Sequence, residues 1–334
     1  MSNLQSKQFR LIRRPVGAVK REDFAFSTEP VAAPAHGEIT VGIDYISLDP
    51  AMRGWMNEGK SYIPPVKLGE VMRAGAVGTV LESRADGFAV GDVVTGAFGV
   101  QSIATVAGRD CVKVDPSLAA KPLFLSALGM TGMTAYFGLL EVGEPQAGET
   151  VVVSGAAGAV GSLVGQIAKI KNCRVVGIAG GAEKCRYLVE ELGFDAAIDY
   201  KSEQVSAKLR EHCPKGIDVY FDNVGGQILD DCLAQIRLGA RIVICGAISQ
   251  YNNTTPVKGP ANYLSLLVNR ARMQGMIVFD YADRYALAMR DIAGWLHSGS
   301  LKSREDIVDG IETFPETLQK LFTGENAGKL ILKL

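Results

Sequence analysis

The sequence predicts an α/β protein of two domains: a compact, mostly antiparallel β domain and a doubly wound parallel sheet covered on both faces. Three observations carry the prediction. Short β-rich runs punctuated by Gly and Pro fill residues 1–125. Apolar strands alternating with helical segments fill residues 126–298. A strand, a glycine turn and a helix follow one another without interruption over residues 151–170. A chain of 334 residues, 47% of them hydrophobic, has apolar surface for both cores.

In the first domain strands are expected at residues 9–13, 39–46, 76–81 and 91–97, each bounded by turn residues. In the second they are expected at 150–154, 174–179, 196–199, 218–223, 241–246 and 274–278, with helices between them and a long last helix at 284–296. Residues 299–334 hold a helix near 316–322 and a strand near 329–333. That is too little for a core, so this tail is expected to return to the first domain.

Charge and composition exclude several classes of function. Lys and Arg total 35 against 36 for Asp and Glu, which leaves no general field for nucleic acid or an anionic membrane. A neutral small-molecule substrate suits that balance. No apolar run approaches the roughly 20 residues of a membrane span, and the N-terminus has no secretory core, so a cytoplasmic protein is expected. The basic residues Lys7, Arg10, Arg13, Arg14, Lys20 and Arg21 sketch a transit peptide, but residues 9–13 read as a first strand. Six scattered cysteines form no close pair, and His36, His212 and His297 stand far apart with no Cys at ligand spacing. No metal site is expected.

The most informative segment runs Val151-Val152-Val153-Ser154-Gly155-Ala156-Ala157-Gly158-Ala159-Val160-Gly161 into a helix. Glycines let a backbone approach a pyrophosphate, and free N–H groups at a helix N-terminus stabilise its charge. The spacing departs from the usual fingerprint: Ala157 stands at the second glycine position and Gly158 one residue later. An NAD site presents an acid to the adenosine ribose after the second strand, but here that strand ends in Ala179-Gly180-Gly181. Lys184 and Arg186 follow, cations suited to a ribose phosphate, while Glu183 suits the first turn of its helix. NADPH is therefore the expected cofactor.

Further landmarks lie along nearly the whole chain. They are Asp49-Pro50-Ala51-Met52-Arg53, Gly129-Met130-Thr131-Gly132-Met133-Thr134-Ala135-Tyr136, Asp222-Asn223-Val224-Gly225-Gly226, Gly246-Ala247-Ile248-Ser249-Gln250-Tyr251-Asn252 and Asn326-Ala327-Gly328-Lys329. Together with the glycine turn they resemble the zinc-independent medium-chain dehydrogenase/reductases, in the branch of leukotriene B4 dehydrogenase/prostaglandin reductase, plant alkenal double-bond reductases and bacterial curcumin reductase. The resemblance implies a GroES-like catalytic domain, a Rossmann domain and an active site in the cleft between them. It implies that Lys184 and Tyr200 hold the adenosine 2′-phosphate, and that Gly158, Ala159, Val160 and Gly161 hold the pyrophosphate. Asn223, Cys245, Gly246, Ala247, Ile248, Ser249, Gln250, Tyr251, Phe279 and Asn326 would line the rest of the cofactor path, with Met130 and Thr131 beside the nicotinamide. A homodimer is expected on the same ground.

The implied reaction is reduction of the carbon–carbon double bond of a small α,β-unsaturated ketone or aldehyde, by hydride transfer from NADPH to the β-carbon. Negative charge then gathers on the carbonyl oxygen, and without a Lewis acid a hydroxyl must stabilise it. The candidates are the nicotinamide ribose hydroxyl, Tyr251 in the turn after a parallel strand, and next Tyr62 in a loop of the first domain. The sequence departs from the resemblance in having Ala51 where many relatives have Tyr. It also has Leu68-Gly69-Glu70 where zinc-using cousins place a His before the acid, so Glu70 is read as structural. A quinone reductase of the same superfamily and an NADPH-binding protein without turnover remain alternatives. A methyltransferase reading of the glycine turn gives no role to the β-rich domain or to Lys184.

Overall fold

The structure, a computed structural model, describes residues 4–334. The chain forms two compact units: one runs through Leu125 and resumes from Glu305 to Leu334, the other spans Ser126–Arg304.

The first unit begins with β1 (Gln5–Leu11), β2 (Phe24–Pro30) and β3 (Glu38–Ser47), then a short helix α1 (Ala51–Trp55). It continues with β4 (Ala76–Ser83), β5 (Val93–Gly96), β6 (Ile103–Ala107) and β7 (Cys111–Val114). The first strand lies earlier than the expected residues 9–13. It stops at Leu11 because the N–H groups of Ile12 and Arg13 both turn to the carbonyl of Asp23.

The second unit opens with α2 (Met130–Phe137) and then alternates. Its elements are β8 (Thr150–Ser154), α3 (Ala159–Ile170), β9 (Arg174–Ala179), α4 (Ala182–Glu190), β10 (Ala196–Asp199), α5 (Val205–His212), β11 (Ile217–Asp222), α6 (Gly226–Leu233), β12 (Ile236–Ile244), α7 (Leu264–Val268), β13 (Arg272–Gly275) and α8 (Tyr285–His297). The strands pair in parallel in the order β10-β9-β8-β11-β12-β13. The order in which strands are added therefore reverses between β8 and β11, the switch point outside which ligands of such sheets bind.

Strand residues alternate between two cores, one on each face. Val151, Val153, Val219, Phe221 and Val243 pack into one core, and Val152, Tyr220 and Ile242 into the other. This unit also keeps residues 299–304, beyond the expected end at 298. Leu301 is buried in its core, and Gln166 exchanges hydrogen bonds with the backbone of Lys302 in both directions, at 2.7 and 2.9 Å. The last strand lies at β13 rather than 274–278. Met276 and Val278, two of the three apolar residues of the expected strand, are buried in the connection after it, whereas every residue of β13 is exposed at the sheet edge.

The chain ends with β14 (Glu305–Asp309), α9 (Phe314–Thr323) and β15 (Lys329–Lys333). The sheet of the first unit is ordered β14-β15-β3-β4-β5-β7, with β6 also on β3. All its pairings are antiparallel except β14 with β15. Phe314 of α9 completes an aromatic cluster, its ring 5.3 Å from Phe9 and 5.2 Å from Phe24. The Asp49 and Lys329 landmarks meet here: Lys329 is buried and bonds Asp49 Oδ1 at 2.5 Å and the Leu48 carbonyl at 3.0 Å.

Candidate functional site

At the end of β8 the chain turns through Gly155 and enters α3 with Gly158 as its cap. The first N–H groups of a helix have no acceptor within it, and the dipole there favours an anion. Ala159, Val160 and Gly161 supply those groups. Gly161 has a second reason to be glycine. A Cβ there would lie 2.4 Å from the Gly155 carbonyl oxygen, so only a bare backbone lets the helix start so close to the turn.

At the end of β9 the backbone passes through Gly180 and Gly181 into α4, which carries half-buried Lys184 in its first turn. The turn is fixed by Asp199 at the end of β10, whose Oδ1 accepts the N–H of Gly181 at 2.7 Å and of Lys201 at 3.0 Å. The Gly181 N–H, foremost among several donors, holds the Asp199 carboxyl below its ordinary range. The acid is thus committed beneath the turn. Tyr200 and Lys201 lie against Gly180, where a Cβ would stand 2.9 Å from the Tyr200 ring and 2.9 Å from Lys201 Cε. Lys201 is a cation the sequence reading passed over. Its neighbour Tyr200 was identified, but nothing in Lys201-Ser202-Glu203 distinguishes it from a solvated lysine. The available signal was the glycine pair that admits both side chains.

At the switch point, β8, β11 and β12 are tied together. Asn223, just past β11, donates its backbone N–H to Ser154 Oγ at 2.9 Å and its amide to the Ser154 carbonyl at 2.8 Å. The Asn223 carbonyl accepts the N–H of Ile248, and the Val224 carbonyl that of Ser249, both at 3.1 Å. The structure thus brings the glycine turn, Asn223 and the Cys245–Tyr251 stretch into one loop cluster. Tyr251 curls back over this loop, and its hydroxyl oxygen accepts the Ala247 N–H at 3.2 Å. Burial and then the nearby Asp222 push the Cys245 thiol up to about 12, so it is a neutral thiol rather than a nucleophile.

Met130 and Thr131 begin α2. Met130 is 44% exposed, whereas Thr131 is buried and its hydroxyl donates to the Ser126 carbonyl at 2.8 Å. Tyr285 joins Met130 to the Phe279 segment, its hydroxyl lying 3.7 Å from Met130 Sδ and 3.0 Å from the Val278 carbonyl. Phe279 itself is exposed.

The remaining candidates belong to the other unit. Tyr62 is exposed, and its hydroxyl oxygen accepts the indole N–H of Trp55 at 3.2 Å. Asn326 turns the chain before β15 by donating to the Gly328 carbonyl at 3.0 Å. Glu70 closes its own turn through the Lys67 N–H at 3.0 Å. Ala51 starts α1.

Comparison with known proteins decides the family. Residues 7–114 match the family described as "N-terminal domain of oxidoreductase", and residues 159–294 match "Zinc-binding dehydrogenase". The chain is 42% identical to the NADPH-dependent curcumin reductase of Escherichia coli (strain K12), over 99% of this chain and 97% of that one. It is 41% identical to the NADP(+)-dependent 2-alkenal reductase of Nicotiana tabacum, over 86% and 84% of the two chains. The chain belongs to the zinc-independent medium-chain dehydrogenase/reductases. Among solved members of this family, CurA of Vibrio vulnificus in complex with NADPH superimposes with a TM-score of 0.94, at 43% identity and 98% coverage of both chains.

The second family description carries the word zinc, which the donors of this chain do not fit. Among the described residues no group of three or more His, Cys, Asp or Glu is arranged to hold a metal ion. Among the described residues, too, no helix is long and apolar enough to cross a membrane.

Proposed function

We propose that this medium-chain dehydrogenase/reductase reduces the carbon–carbon double bond of small α,β-unsaturated ketones or aldehydes with NADPH. The observation that carries the reading is the match, over almost the full length of both chains, to a curcumin reductase whose name states NADPH dependence. The Rossmann unit fits that cofactor. The strand end that would carry a ribose-binding acid in an NAD site offers Gly180 and Gly181 instead, flanked by Lys184, Tyr200 and Lys201. In the switch-point loops, Asp222 Oδ2 and Asn252 Oδ1 are buried without a partner among the described residues, polar atoms of the kind a polar cofactor satisfies.

On this reading Lys184, Tyr200 and Lys201 hold the 2′-phosphate, and the N–H groups of residues 159–161 hold the pyrophosphate. Asn223, residues 245–251, Met130, Phe279 and Asn326 line the rest, with Thr131 as support beneath Met130. When bound, NADPH supplies the hydride. Tyr251 is the first choice, and Tyr62 the second, to donate a hydrogen bond where charge develops on the substrate carbonyl oxygen. Each phenol oxygen accepts an N–H, that of Ala247 for Tyr251 and that of the Trp55 indole for Tyr62. Water supplies the proton at the α-carbon.

The test follows NADPH oxidation over a panel of enals, enones, quinones and simple ketones, with and without a chelator. Turnover of enones unaffected by chelator is expected. Turnover of quinones alone, or chelator-sensitive activity, would overturn the reading.

We propose further that the protein is cytoplasmic, a setting that suits its six free cysteines, and that it pairs as a homodimer. The exposed edge of β13 can extend its sheet across a twofold axis, beside the exposed Leu264, Leu267 and Val268 of α7. Light scattering should return twice the chain mass, and Met273→Pro, which removes an N–H on the free edge, opposite in direction to the Met276 N–H that bonds the Ile244 carbonyl of β12, should shift it to one; a monomeric unaltered protein would refute the pairing.

A further inference from the structure

Asp222 ends β11 with only 1% of its surface exposed, at the switch point and, among the described residues, beside no cation within salt-bridge distance. One carboxylate oxygen, Oδ1, collects four donors: the Tyr220 hydroxyl at 2.7 Å, the Ser154 hydroxyl at 2.9 Å, and the N–H groups of Val224 at 3.0 Å and Gly225 at 2.9 Å. Its backbone carbonyl accepts two more, from Cys245 at 2.9 Å and Gly246 at 3.1 Å. A single residue thereby touches the ends of β8, β11 and β12. The second carboxylate oxygen, Oδ2, is buried with no hydrogen-bond partner among the described residues.

The pairing of the strands does not itself run through the carboxylate. Their ladders close through backbone pairs, whereas the bonds to Oδ1 come from side chains at strand ends and from the first N–H groups of the loop toward α6. What they fix is the path of residues 223–226, and through Ser154 the two hydrogen bonds that pin Asn223.

We infer that Asp222 is a positioning residue for the nicotinamide half of the cofactor, acting through Asn223 and the loop at Cys245–Gly246, while the adenosine half is held independently at Gly180–Lys201. The inference rests on the cofactor reading above and deepens it. Fixing donors before the ligand arrives lowers the ordering cost of binding, and a misplacement of about 1 Å near reacting atoms costs on the order of 10²-fold in rate.

The test separates the two halves of the cofactor by using two probes, NADPH and 2′,5′-ADP, which carries the phosphate end alone. Dissociation constants are measured by fluorescence quenching on the full-length protein, with thermal midpoints beside them. Asp222→Ala should weaken NADPH by about tenfold or more and leave 2′,5′-ADP within about twofold. Asp222→Asn, which can place its carbonyl oxygen where Oδ1 stands, should recover most of the loss. If Asp222→Ala does not yield folded protein, Ser154→Ala removes the hydroxyl that links Asp222 to the Asn223 N–H and should give the same selective loss. Parallel weakening of both probes, or unchanged NADPH binding in Ser154→Ala, would show a purely structural role and overturn the inference. Failure of the unaltered protein to bind 2′,5′-ADP would sink the cofactor reading, and this inference with it.

Discussion

A phosphate gains from a nearby ammonium to the extent that no carboxylate has already claimed it. Lys201 forms no salt bridge among the described residues, and its stem lies against Gly180 beside Tyr200. Lys201→Ala should therefore weaken NADPH by about 10- to 100-fold, the worth of one or two charge-assisted contacts, and leave NADH nearly unchanged. Steady-state KM values for the two cofactors check this, and equal losses would remove Lys201 from the phosphate site. At the other end of the path, Tyr251→Phe should lower enone turnover by about 10²- to 10³-fold, the usual loss for one donor at a developing oxyanion. Unchanged turnover would assign the tyrosine to the Ala247 loop alone. These two residues mark how far single positions are legible in sequence. Tyr251 stood out because it follows a parallel strand. Lys201 and Asp222 did not, because a lysine in a polar run and an acid at a strand end each acquire a role only through partners such as Gly180 and Ser154, distant along the chain.

Elements were far more legible where both faces are buried. β8, β9, β10 and β15 lie at their expected bounds, since each is built around an apolar run that its packing buries. β14 was missed because Glu305-Asp306-Ile307-Val308-Asp309 is an edge strand with acids along it, written by its pairing to β15 and not by its own composition. The ends of elements carry their own electrostatics. Arg241 of β12 bonds both carboxylate oxygens of Glu149, just before β8, and the carbonyls of Gly143 and Glu144. Burial pushes the Glu149 carboxyl up, but the Arg241 hydrogen bonds, the Gln146 N–H and the Arg241 charge outweigh it, and the net shift is downward from 4.5. A carboxyl lowered by folding adds stability that is complete above its unfolded value and vanishes as pH falls through the folded one. Glu149→Gln should thus cost about 1.5–3 kcal/mol at pH 7, with the gap to the parent closing only below 4.5. Urea midpoints from pH 3 to 7 would test it, and a gap independent of pH would contradict the pairing.

At the scale of the whole molecule, the first unit is built from the two ends of the chain. A reading along the sequence finds the last helix and strand but not the sheet edge they extend, since β15 meets β3 across more than two hundred intervening residues and only the complementary apolar rows choose that edge. The core of this unit, with Phe9, Ile39, Val41, Phe314, Leu318 and Leu332, shares no residue with the two cores of the α/β unit. Separate cores allow separate unfolding. The two tryptophans of the chain divide between them, Trp55 against the first core and Trp295 against the second. Phe314→Ala removes a fully buried ring that touches Phe9 and Phe24, a truncation that typically costs about 3–5 kcal/mol. In a Trp295→Phe background, where Trp55 alone reports, the denaturant midpoint should fall accordingly. In a Trp55→Phe background, where Trp295 reports, it should move little. An equal shift of both would mean that the units unfold as one, and that the stability of the cofactor-binding sheet depends on the return of the C-terminal segment to the first.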